Sequence, residues 1–289
     1  MRTSRMILAA ALVVAVITGP AVAWHGKGHE LAASAAIIAA GKELPEFFTS
    51  GKAVIINCSN DPDAFTKPIA PPALHDAEAS EHYFDIELLG GEPIPPTRYA
   101  FIDFCAKKGL KPSKVGLLPY AINEWTARLT VALAEYRKWP DDKAIQAKCL
   151  VYAGLLAHYA ADCCQPLHVT VNYDGKVNAD GNSPRSGIHN RLDALPGKAA
   201  LTGEEISSGL DVKTFSDVFS AIKDQIAASG GLVDKVYKLE GQFPPMDADV
   251  AVTGEVRDFA KERMQAATGF IGSLYLTAWR DSEKIVLPP

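Results

Sequence analysis

Residues 158–168 read His-Tyr-Ala-Ala-Asp-Cys-Cys-Gln-Pro-Leu-His. On a helix, His158 and Asp162 project from one face, one turn apart. Pro166 ends such a helix, because it has no N–H and its ring clashes with the preceding turn. His168 lies just past that break and can fold back toward the same point. Two imidazoles and a carboxylate form a nitrogen and oxygen ligand set that suits zinc. His189 and Asp193 repeat the four-residue spacing further on. A fold that gathers these five residues would hold metal, and more than one ion.

The elements that must position them read as helices. An Ala- and Ile-rich pattern predicts a helix over 30–42. Leu117, Ala121, Trp125, Leu129 and Leu133 form a stripe of helical period over 115–138, with the regular helix starting at Pro119. A second long helix is predicted over 141–165, opened by an acidic turn and very apolar in its second half. His158 and Asp162 would then be polar groups in a core, and such groups need partners. A third long helix is expected over 250–282, packed through Phe259, Met264, Phe270, Leu274 and Trp279, and a shorter one over 215–228. Residues 59–96 are rich in proline and residues 170–187 in Asn, Asp and Gly, so both read as long loops beside the candidate ligands. No strand alternation, repeat or low-complexity tract stands out. The expectation is an all-α, single compact multi-helix domain with long loops around its metal cleft.

The N-terminus reads as an export signal. Arg2 and Arg5 precede an apolar run from Met6 to Thr18, too short to span a bilayer, and Ala21-Val22-Ala23 is a small-residue cleavage site. Residues 1–23 are therefore read as a signal peptide and 24–289 as the catalytic domain, secreted or periplasmic, with Trp24 as its first residue. Losing Arg2 and Arg5 takes the formal charge from −5 to −7. An acidic surface argues against a broad basic nucleic-acid patch, but not against a phosphodiester held at a metal cluster. In an oxidising compartment some of the five cysteines (Cys58, Cys105, Cys149, Cys163, Cys164) should pair, and the odd number leaves at least one over. A lone buried histidine is ordinarily a satisfied core residue, the default for His25 and His75. For His158, Asp162 and His168 the competing reading is a structural hydrogen-bond network.

Three segments together resemble the superfamily of zinc-dependent single-strand nucleases and phospholipases C. They are Trp24-x-x-x-x-His29, His158-x-x-x-Asp162 leading to Gln-Pro-Leu-His168, and His189-x-x-x-Asp193. Glu81-His82-Tyr83-Phe84-Asp85 resembles the family's short His-aromatic segment. The resemblance implies three zinc ions. Trp24, through its freed α-amine and carbonyl, would hold one with His29 and Asp162. His158, His82, an early aspartate and Asp162 would hold the second, with Asp162 bridging. His168, His189 and Asp193 would hold the third. The early aspartate is either Asp61 or Asp63, and it would also orient the attacking water or take its proton. A terminal amine must be deprotonated to ligate, which its ordinary pKa of about 7.7–8.0 allows near a cation.

The implied activity is phosphodiester hydrolysis by metal-activated water. Asp193, where the phospholipases tend to carry Glu, favours an endonuclease acting on single-stranded DNA or RNA to give 5′-phosphorylated products. Asp180-Gly181-Asn182 only partly echoes the nuclease loop, and Gly187-Ile188-His189 is closer to the phospholipases. A phospholipase C releasing a phosphorylated headgroup therefore stands as the alternative, although no appended lipid-binding domain is expected. Phe84 and Tyr173 lie near ligands and could stack on a base, against the plainer reading of packing. A periplasmic zinc-binding protein without turnover is the alternative from another class. No stable protein partner is implied, and the chain is expected to be a monomer.

Overall fold

The computed structural model describes residues 26–288. The proposed signal peptide, Trp24 and His25 lie outside the described residues. The fold is all-α: among the described residues there is no strand, only isolated bridges of Phe84 with Gly116 and Tyr173 with Gly175. Among the described residues no helix is long and apolar enough to cross a membrane.

Four long helices make the core: Gly26–Ala40, Leu118–Lys138, Lys143–Asp162 and Gly254–Asp281. The first packs on the last, and the middle two pack on each other and on Gly254–Asp281. Buried Phe259, Met264, Ile271, Leu274 and Tyr275 of the last helix fill the centre. Each such side chain contributes about 1.5–3 kcal/mol by leaving water, so this bundle is a stiff frame for whatever its ends present.

The Lys143–Asp162 helix is set at both ends. Asp142 caps its start by accepting hydrogen bonds from the Ala144 and Ile145 amides. It stops at Asp162, the fourth residue before Pro166, where the proline ring forbids another turn. A 3-10 turn, Pro166–His168, then folds His168 back as the sequence implied.

Gly154 sits one turn before His158, and a Cβ there would fall 2.6 Å from the Cys58 Cβ and 2.7 Å from the Ile55 carbonyl oxygen. Its bare backbone lets the Lys52–Cys58 helix close on the His158 helix. Gly116 does the same for the His82 segment. It adopts φ +100°, and a Cβ there would overlap the Tyr83 carbonyl oxygen at 2.0 Å.

Residues 59–96 are not one loop. They hold short helices at Asp61–Phe65 and Pro72–Glu78 and 3-10 turns at Ala79–His82 and Ile86–Leu89. Pro62 and Pro72 stand in the first turns of those helices, where a missing N–H costs nothing and φ is already helical. The 170–187 stretch contains no helix or strand, as expected. The last two predicted helices run Gly254–Asp281 and Val218–Gly230.

No cysteine is paired: all five are free and buried. Burial pushes the Cys58 thiol up to about 11 and those of Cys149 and Cys164 to about 12, so they act as small apolar core groups. His75 is not a core residue either; its half-exposed ring lies 3.4 Å from Asp76.

Candidate metal centre

The candidate ligands converge where the frame ends. Three overlapping groups could hold metal ions: His29 with His158 and Asp162; Asp63 with His82 and His158; and His168 with His189 and Asp193. All eight residues are buried. Asp162 is the hinge between groups. Its Oδ1 faces His29 Nε2 at 3.4 Å, while its Oδ2 faces His82 Nδ1 at 3.2 Å and His158 Nε2 at 3.3 Å. One carboxylate thus presents an oxygen to each of two neighbouring positions. Of the two early aspartates, Asp63 is the one brought in. Pro62 starts the short helix there, which turns Asp63 inward and leaves Asp61 half-exposed beside Cys58.

The proton positions can be read from the partners. A carbonyl only accepts, so Nδ1–H of His158 donates to Ser59 O at 2.8 Å, that of His168 to His82 O at 2.6 Å, and that of His189 to Tyr173 O at 3.2 Å. In each neutral ring Nε2 is then a lone pair. The Nε2 atoms of His168 and His189 nevertheless face each other at 3.1 Å. Two lone pairs at that distance repel unless a proton or a cation lies between them.

The orphaned atoms point the same way. Eight buried side-chain polar atoms among the described residues lack a hydrogen bond, and five are here: both His29 nitrogens, His82 Nε2, Asp162 Oδ1 and Asp193 Oδ2. Leaving a buried polar group unsatisfied costs about 1–3 kcal/mol, so five in one place mark a site short of a partner rather than packing faults, and each ring there has one nitrogen available to face a cation. A purely structural hydrogen-bond network would have used them. Asp193 is aimed rather than loose: Gln165, fully buried, donates to its Oδ1 at 2.8 Å and leaves Oδ2 toward His189 at 3.2 Å. The Gln165 side-chain oxygen in turn accepts from the Leu167 amide.

Electrostatics separate the rings. Burial, then the neighbouring His158, holds His29 well below the ordinary histidine range. Burial likewise pulls His82 down to about 4 and lowers His168. For His158 burial opposes charge, but Asp162 outweighs it and raises the ring to about 9. Burial alone would raise Asp162; His158 and His168 outweigh it and hold the carboxyl well below its ordinary value. For His189 burial again opposes charge, and Asp193 outweighs it and raises the ring. Burial lifts Asp63 to about 7.

The ligands floor an open cleft of about 310 Å³. His82, His168 and His189 line it together with Thr66, Ala79, Tyr83, Asp85, Lys114, Leu167 and Tyr173. Burial and the nearby Glu87 raise Asp85 to about 7. Phe84 is not in the wall: it is fully buried and packs on Phe101 at 5.7 Å. Tyr173 does line the cleft. Tyr83, Asp85 and Lys114 were missed as wall residues, though Tyr83 and Asp85 flank Phe84 and strand-like alternation would have turned both to the opposite side. No model of a known protein family and no curated protein matches this chain.

Proposed function

We propose that this chain is an exported zinc-dependent phosphodiesterase that cleaves single-stranded nucleic acid and belongs to the nuclease and phospholipase C superfamily it resembles. The observation that supports this best is the facing pair of Nε2 lone pairs on His168 and His189 at the floor of an open cleft. Zn–N bonds of about 2.0–2.1 Å put two nitrogens that share an ion about 3.3 Å apart, close to the 3.1 Å here. His29 and Asp162 with Trp24, then Asp63, His82, His158 and Asp162, then His168, His189 and Asp193 would hold three ions. Bound there, zinc supplies Lewis acidity toward the phosphoryl group and makes water more acidic.

The chain's own residues do the rest. Asp162, with Oδ1 toward His29 and Oδ2 toward His82, would hold two of the ions. Asp63, ionised once a cation offsets its burial, accepts the proton of the attacking water. Lys114 draws the anionic substrate into the cleft, and Tyr83 and Tyr173 offer faces on which a base stacks. Asp85, near half-protonation at neutral pH, can both donate to and accept from a base edge. A site for storage would be closed, whereas these ligands open onto solvent-accessible space.

Tyr83, Tyr173 and Asp85 would also suit a quaternary ammonium headgroup, which favours the phospholipase reading. Lys114 in the same wall repels such a cation and tips the balance to the nucleic acid. The test is hydrolysis of single-stranded DNA and phosphatidylcholine, side by side, by the zinc-loaded protein starting at Trp24, with a chelator control. Chelator-sensitive nucleotide release is the expected result. Headgroup release alone would move the chain to the phospholipase branch, and bound zinc with neither product would favour a binding protein.

A further inference from the structure

His82 meets its group through Nδ1, which lies 3.2 Å from Asp162 Oδ2 and 3.0 Å from His158 Nε2. Nδ1 can bind a cation only as a lone pair, so the ring's proton must then sit on Nε2. That Nε2 is buried and has no hydrogen bond. The nearest carboxylate is Glu78, which is no member of the ligand groups and whose Oε1 is 3.7 Å away. The gap is longer than a hydrogen bond, so the two groups face each other without being bonded. Glu78 is also held in place. It ends the Pro72–Glu78 helix, one turn before His82, and its Oε1 accepts from the hydroxyl of Tyr159. Tyr159 stands edge-on to both His82, at 5.7 Å between ring centres, and His158, at 5.4 Å.

We infer that Glu78, fastened by Tyr159, is the positioning residue of His82: it accepts a hydrogen bond from Nε2–H and so leaves the Nδ1 lone pair free to hold a cation. A carboxylate behind an imidazole fixes its tautomer and raises its basicity toward a metal. Tyr159 O–H and His82 Nε2–H would both donate to Glu78, and His82 Nδ1 would face the ion. This arrangement rests on the metal reading of the site and is independent of the substrate. Gln at position 78 would keep an acceptor without the charge, whereas Leu would remove both.

The test uses the full mature chain, with zinc as probe and affinity measured by competition with a chromophoric chelator. Glu78→Leu should weaken one of the bound ions about 10–100-fold, the usual cost of losing such a partner. Glu78→Gln should fall between it and the parent. The ion held by His168, His189 and Asp193 should be unaffected. In the parent protein loaded with zinc, the imidazole nitrogen shifts of His82 should report the proton on Nε2. That signature does not depend on any variant folding, and a downfield-shifted Nε2–H proton, which a carboxylate acceptor produces and a purely structural Glu78 would not, reports the part played by Glu78. Parent affinities for every ion in Glu78→Leu, or an Nδ1–H tautomer in the loaded protein, would overturn this inference alone. A parent chain that binds no zinc would overturn the metal reading with it.

Discussion

The two ends of the candidate metal centre are built differently. Around His168, His189 and Asp193, each side chain is aimed by a partner outside the group: two rings donate to carbonyls, and Gln165 holds the carboxylate. Around Asp162, the ligands lean mostly on one another. His29 has no hydrogen bond on either nitrogen and only stacks on His158, at 3.9 Å between ring centres. His82 and His158 share the same Asp162 oxygen. One end is thus arranged before a cation arrives, and the other is completed by it. The difference separates residues whose loss empties one position from those whose loss empties several.

Asp162→Asn should have the largest effect. It removes the charge opposite His158 and replaces one of the two oxygens, which face His29 and His158, by an amide nitrogen that cannot bind a cation. Breaking a buried pair this way costs about 3–5 kcal/mol. Zinc content should fall by more than one ion and activity should vanish. Asp193→Asn, by contrast, should lose a single ion. Metal analysis of the two purified variants checks this, and equal losses would erase the distinction between the ends.

Gly154→Ala comes next. Its methyl group would press on Cys58 and on backbone at Ile55, at a cost of about 1–3 kcal/mol for overpacking. The displaced chain includes Ser59, whose carbonyl fixes the His158 tautomer. The melting temperature should drop, and zinc affinity should weaken at the Asp162 end while the other end keeps its own. Gln165→Leu inverts the pattern. It frees Asp193 to rotate and should weaken the His189 end about 10–100-fold, measurable by chelator competition, with no change at Asp162.

Legibility in the sequence follows the same division. His158 with Asp162, and His189 with Asp193, were readable because a spacing of four on a helix is a local fact. The stop before Pro166 was readable for the same reason. Asp63 could not be told from Asp61, since the choice depends on the phase of a one-turn helix begun by Pro62. Residues 59–96 read as loop because prolines that start short helices look, in composition, like prolines that break them. The roles of Glu78 and Gln165 rest on packing between distant segments, as do the unpaired cysteines, and no local pattern announces such contacts.

The smallest effect expected is in protons, and its sign can be worked out. His158 is raised to about 9 in the folded, ion-free chain, against an unfolded value of about 6.5. Its charge therefore stabilises that state fully below about pH 6.5, and the contribution is lost as pH rises through about 9. Asp162 is held low, so its contribution is present above its unfolded value of about 3.9 and is lost as pH falls toward its folded one. Zinc held there would need the His158 Nε2 lone pair, so its binding near neutral pH would expel that proton. Calorimetric zinc titrations in two buffers of different ionisation enthalpy count the protons released. The number should fall by about one between pH 8 and 10, as His158 loses its proton without help. A count that stays flat across that range would mean the Asp162 end is already arranged before the ion arrives, like its neighbour.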